Sequence, residues 1–305
     1  MKVIKCSIIL SIMAFIFAND EIGNLANDKK NTPQLDLLRD GVKLNFNIYD
    51  NMLRTPDSKL IKEQINEIKE NAKNYIVTPV TTSDIVVMET SHGALKLKLF
   101  PEKAPNHCNN FKRLANSGFY DKTVFHRIIP GFMIQGGDIL SRDQNPDNDG
   151  TGNPGWTIDQ EFNDIRHKRG ILSMARSQDV NSAGSQFFIC VDEAYHLDLK
   201  YTAFGEVIEN DNVLDIITKL PSQAKQILRN SKLSIPDDGT SKESWLSYRY
   251  GGKEWYIKIP KTKTKSQMEV YVKSNLKNKH KTHVPVFIKK VRVVDINTID
   301  DNKND

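Results

Sequence analysis

Val124-Phe125-His126-Arg127-Ile128-Ile129-Pro130-Gly131-Phe132-Met133-Ile134-Gln135-Gly136-Gly137-Asp138 is the stretch that decides how this chain folds. A cation, an amide side chain and exposed-looking apolar residues sit at alternate positions along it. In a strand, successive side chains point to opposite faces, so Met133 and Gln135 share one. A second block repeats the combination of small residues, an amide and aromatics. It runs Gly170-Ile171-Leu172-Ser173-Met174-Ala175-Arg176, then Asn181-Ser182-Ala183-Gly184-Ser185-Gln186-Phe187-Phe188-Ile189.

The flanking sequence supplies more strands. From about residue 84 the apolar period is two: Ile85 to Thr90, then Ser91-His92-Gly93, then Ala94 to Phe100, with Leu95, Leu97 and Leu99 opposite Lys96 and Lys98. That pattern predicts a half-buried hairpin with a glycine-bearing turn. Pro105 opens a helix to about Asn116, closed by Ser117-Gly118. Further strands are predicted at Val124–His126, Met133–Gly136, Gly170–Ala175, Gln186–Val191 and Thr202–Ile208, with a second helix at Val213–Leu220 and closing strands at Val286–Ile288 and Val291–Val294. Many short strands and few helices argue for a barrel or a sandwich.

In their order and wording, Phe125–Asp138, Gly170–Ala175, Gly184–Cys190, Leu197-Asp198 and Phe204-Gly205 resemble the cyclophilins. The resemblance covers about 84–221 and 286–295. It implies a mainly β fold, a closed eight-stranded antiparallel β-barrel capped by two α-helices. It also implies an activity, peptidyl-prolyl cis-trans isomerisation, in which no bond is broken and no metal or cofactor is required. The barrier to rotating the peptide bond is about 18–20 kcal/mol, and X–Pro exchange takes tens to hundreds of seconds. A catalyst must favour the twisted amide over the planar one.

The resemblance assigns Arg127 and Gln135 as catalytic, with Phe132, Met133, Phe188 and Leu197 forming the proline pocket. Twisting localises the lone pair on the prolyl nitrogen. Arg127, always charged and rich in donors, can bond that nitrogen only when resonance is lost. Gln135 would hold the carbonyl side of the substrate. Ala175 and Gln186 would line the neighbouring groove, and the backbone at Arg176 would hold the substrate chain. His196 and Tyr201 also fall at the site, where many members carry tryptophan and histidine, and Arg176 replaces a frequent asparagine. The change at His196 implies weak cyclosporin binding. The expected partners are proline-containing polypeptides, met by a monomer. The competing reading is a non-catalytic proline-peptide-binding chaperone or scaffold module.

The rest of the chain is organised around this domain, expected over 84–295. The hydrophobic fraction of 38% falls below the usual globular share, so some of the 305 residues must be solvated. Lys2 and Lys5 precede an apolar run from Ser7 to Ala18, too short for the roughly 20 residues of a membrane span. Residues 1–18 therefore read as a signal peptide and the protein as exported, periplasmic or secreted, with the eukaryotic secretory pathway as the alternative. Residues 19–83 form a polar extension with a helix predicted over 57–75, and 296–305 a polar tail.

Residues 222–285 interrupt the barrel pattern. They carry fourteen lysines and arginines against five acids, a net +9 in a chain whose total is +5. The segment reads as a solvated lysine-rich elaboration or as a surface for an anionic partner; nucleic acid is not expected. Its Trp245, Tyr248, Tyr250, Trp255 and Tyr256 make it more than a flexible tail. If it only recruits partners, its deletion leaves turnover unchanged. Cys108 and Cys190 read as buried free thiols. Asp143, Asp147 and Asp149 lack the spacing and glutamate of a calcium loop and read as part of a glycine-rich loop.

Overall fold

The alternation of leucine and lysine produces the hairpin it predicts. The computed structural model describes residues 60–297 except Gln144 and Thr240, so the expected signal peptide, most of the polar extension and the last residues of the tail lie outside the described residues. In it β1 (Asp84–Thr90) pairs antiparallel with β2 (Gly93–Leu99), and Leu95, Leu97 and Leu99 are buried.

From this hairpin the sheet grows both ways. On one side β12 (Phe287–Asp295) pairs with β1 and then with β3 (Thr123–Val124). On the other, β2 leads to β8 (Ala203–Glu209), β6 (Ile171–Met174), β7 (Phe187–Cys190), β5 (Met133–Gly136) and β4 (Arg127–Ile129). The two edge strands are therefore β3 and β4, and only Phe125 and His126 separate them. The sheet curls until one run of chain, 123–129, serves both edges.

The mainly β antiparallel architecture is the predicted one, but the ladder differs in detail. It has nine strands and is not closed, because the chain steps from one edge to the other between Val124 and Arg127. Counting 123–129 as one strand restores the eight expected.

Two helices cap the sheet. α2 (Pro105–Asn116), opened by Pro105, buries Cys108, Phe111, Leu114 and Ala115. α3 (Asn212–Lys219) buries Val213, Leu214 and Ile217. Both faces enter the main core, where Phe111, Tyr120 and Phe187 meet at ring separations of 5.2 to 5.5 Å. Cys108 and Cys190 are free and buried, and burial pushes both thiols up to about 12.

The helix predicted over 57–75 is α1 (Lys62–Asn74). Ile65 and Ala72 are buried in the main core, and Arg113 donates to the Lys73 carbonyl at 2.9 Å, so this part of the extension is docked on α2. Residues 222–285 are more than a solvated elaboration. They fold as α4 (Gln223–Arg229), β9 (Ser231–Lys232), β10 (Trp245–Tyr250), β11 (Lys253–Lys258) and α5 (Lys265–Lys277). The three strands form a second sheet in the order β10-β11-β9. Ile227, Leu246, Ile257, Met268 and Val272 give the insertion a core of its own. No described helix is long and apolar enough to cross a membrane.

Candidate active site

Strand register assembles the site on the outer face of the curled sheet. Arg127 of β4 stands opposite Gln135 of β5, Gln135 opposite Phe188 of β7, and Phe188 opposite Ser173 of β6. One residue row away, Ile129 stands opposite Met133, and Met133 opposite Cys190. Their neighbours in sequence, Ile128, Ile134 and Ile189, point inward to the main core. The period of two thus separates a chemical face from a structural one.

On that outer face Met133, Phe188 and Leu197 form an apolar cluster with Phe132, Ala175 and Tyr201 at its edge. Arg127, Phe132, Met133, Gln135, Ala175, Arg176, Phe188, Leu197 and Tyr201 line one open groove. Its space of about 520 Å³ takes in open solvent at the mouth, as befits a shallow groove that receives an extended chain rather than an enclosed cavity. Nine of the eleven residues assigned from sequence therefore converge here. Gln186 borders an adjoining hollow, shared with Gln135, Ala175, Arg176 and the glycine loop at Gly150–Asn153. His196 stays at the rim, its ring 5.4 Å from that of Phe132.

The polar side of the groove is a hydrogen-bonded chain. Arg127 Nη1 donates to Gln135 Oε1 at 3.3 Å, and Gln135 Nε2 donates to Gln186 Oε1 at 3.0 Å. Gln186 Nε2 donates to the carbonyls of Gly150 and Gly152, each at 2.9 Å. Arg127 is exposed, so its remaining donors face the groove and solvent. Arg176 is committed elsewhere: it bonds the Lys200 and Ser177 carbonyls at 2.9 and 2.8 Å, and its guanidinium lies 4.6 Å from the centre of the Tyr201 ring. Tyr201 in turn meets Phe188 edge-on at 5.9 Å.

Beneath Phe188 lies His167, which no sequence signal marks. Its ring stacks on Phe188 at 6.1 Å, and its nitrogens bond Asp198 at 3.0 Å and Ser173 at 2.9 Å. Burial lowers its pKa despite Asp198, so the ring is a neutral support. The loop after β5 was legible only as glycine-rich. Its acids have local tasks: Asp143 accepts from Asn145 and Asn148, and Asp149 meets Lys281 at 3.1 Å. Buried Asp138 receives the backbone N–H groups of Leu140 and Gly150, and burial keeps its carboxyl above the ordinary range.

The family model of cyclophilin type peptidyl-prolyl cis-trans isomerases matches residues 85–235. A peptidyl-prolyl cis-trans isomerase of Synechococcus elongatus is 45% identical over 134 residues, 44% of this chain and 86% of that protein. Peptidyl-prolyl cis-trans isomerase-like 3 of Gallus gallus is 42% identical over 159 residues, 50% of this chain and 92% of that protein. A crystal structure of a Cryptosporidium parvum cyclophilin type isomerase, obtained in the presence of the dipeptide Ala-Pro, is 27% identical with a TM-score of 0.47, covering 69% of this chain and 98% of that one.

Proposed function

This chain belongs to the cyclophilin-type peptidyl-prolyl cis-trans isomerases, and from that premise we propose that it turns X–Pro bonds in exported proteins by stabilising the twisted amide through Arg127. The proline ring enters the cluster of Phe132, Met133, Phe188 and Leu197, where burying apolar surface offsets the cost of ordering the chain. Gln135 holds the substrate carbonyl and Arg127 bonds the prolyl nitrogen once rotation has freed its lone pair. A planar amide nitrogen is a poor acceptor, so this bond strengthens only on the way to the transition state.

The observation that carries the reading is the register itself. It seats Arg127 and Gln135 side by side, 3.3 Å apart, at the lip of the apolar groove. A protease-coupled proline-peptide assay tests it. Removing one transition-state donor costs on the order of 10²–10³ in rate, so Arg127→Ala is expected to lose at least about a hundredfold in kcat/KM. An unchanged rate in that variant would sink the role given to Arg127. A wild-type rate equal to the uncatalysed one would leave a proline-peptide-binding module. Export rests on the positive start and apolar run of residues 1–18. It is checked by sequencing the N terminus of protein recovered after secretion, which should begin near Asn19.

A further inference from the structure

We infer that the insertion clamps the isomerase groove and that Lys281 is a positioning residue for Arg127, Gln135 and Gln186. The inference rests on the catalytic reading of Arg127 and deepens it.

The insertion returns to the barrel through residues 278–283, and this segment touches the site at two points. At the first, Ile128 donates its N–H to the carbonyl of His280 at 2.7 Å. One edge of β4 is paired with β5, and the insertion supplies this bond on the other, one residue from Arg127. At the second, Lys281 Nζ bonds the Asp149 carboxylate at 3.1 Å and the carbonyl of Pro146. Asp149 precedes Gly150, whose carbonyl holds Gln186. Gln186 holds Gln135, and Gln135 holds Arg127. The contacts close a circuit that begins and ends on adjacent residues, His280 and Lys281.

The neck of the insertion fixes that dipeptide in turn. Gln223 donates to the Lys281 carbonyl at 2.9 Å, Ser222 bridges Thr282, and His283 donates to the Pro221 carbonyl at 2.8 Å. The Lys281–Asp149 pair is shielded, with side chains 19% and 3% exposed. Removing the ammonium breaks a shielded ion pair and takes away the donor that ties Asp149 and the Pro146 carbonyl, and with them the loop, to the insertion. A displaced loop carries Gly150 and Gly152 away from Gln186 and frees the amide chain that aims Arg127. Misplacing a catalytic group by an ångström can cost about a hundredfold.

The test uses the full chain and compares Lys281→Met, Lys281→Arg, the double variant Lys281→Met/Asp149→Asn, and Lys279→Ala at the exposed neighbouring lysine. Proline-peptide turnover, melting temperature and the side-chain amide NMR signals of Gln135 and Gln186 are read together. Lys281→Met is expected to lose about tenfold in kcat/KM and to shift or broaden both glutamine signals. Lys281→Arg should recover both readouts, and Lys279→Ala should disturb neither. If Lys281→Met does not fold, the double variant, which leaves no uncompensated charge, carries the test and should remain slow with displaced signals.

Full turnover in the Met or double variant would overturn the clamp. So would slower turnover that follows the melting temperature while the glutamine signals stay put. The glutamine signals report on the clamp even if Arg127→Ala proves fully active, so failure of the catalytic reading and failure of the clamp remain distinguishable.

Discussion

Gly152 shows how tightly single residues constrain this groove. A Cβ built there falls 1.9 Å from the Asp138 carboxylate and 2.9 Å from Leu140, distances no side chain tolerates. Asp138 cannot yield freely, since it is fully buried and receives the N–H groups of Leu140 and Gly150. Gly152→Ala is therefore expected to cost about 1–3 kcal/mol, the usual penalty of overpacking, in a urea melt. Its carbonyl also holds Gln186, so kcat/KM should fall in the same variant. Wild-type stability and turnover together would show that the loop relaxes without consequence. At this scale part of the site was legible: alternation puts Met133 and Gln135 on one face, and the resemblance adds Phe188 from another strand. The roles of Gly150, Gly152 and Lys281 were not. Lys281 meets Asp149 across 132 residues of sequence, and no local period encodes such a meeting.

Elements divide by whether their signal was periodic or compositional. α2 carries its own end signals, because Pro105 opens it and Ser117-Gly118 closes it near the expected Asn116. β10 and β11 lie where the lysine-rich composition of 222–285 masks their period. The alternation was nonetheless present: Leu246 and Tyr248 turn to the insertion's core, while Ser247 and Arg249 do not. Trp245 is buried although it belongs to the other face, with Lys232 and Lys258 each 5.9 Å from its ring centre. α1 was predicted as a helix, but its apolar stripe could not say what it covers. The structure gives Ile65 a place in the main core, away from the groove residues. Ile65→Ala is expected to cost about 2–4 kcal/mol in denaturant unfolding, as buried large-to-small changes do. Turnover should be unchanged in conditions where the variant is folded. A loss of activity without a loss of stability would tie the extension to the groove instead.

For the molecule as a whole, the curling that joins β3 to β4 through Phe125 and His126 places an imidazole inside the structure beside two cations. Burial, then Lys281, then Arg127 lower the His126 pKa to about 4. An unfolded histidine titrates near 6.5, so between these values the unfolded chain binds a proton that the folded chain refuses. The folded state holds this advantage in full above pH 6.5 and loses it as pH falls toward 4. Carried to its end, the loss is roughly 3 kcal/mol for this one group. His92, His107, His167 and His280 are lowered too, each chiefly by burial, and add in the same direction. Asp138, raised by burial, works the other way as it protonates, but it is one group against five. Unfolding free energy from urea melts is therefore expected to fall steadily from pH 7 to pH 5, where ordinary carboxylates near pKa 4 remain largely ionised. His126→Asn should flatten that slope by up to about one proton, or ~1.4 kcal/mol per pH unit. A profile level across the interval, or a slope the substitution leaves untouched, would mean that His126 is charged in the folded state and that the neutral interior inferred for this part of the barrel is wrong.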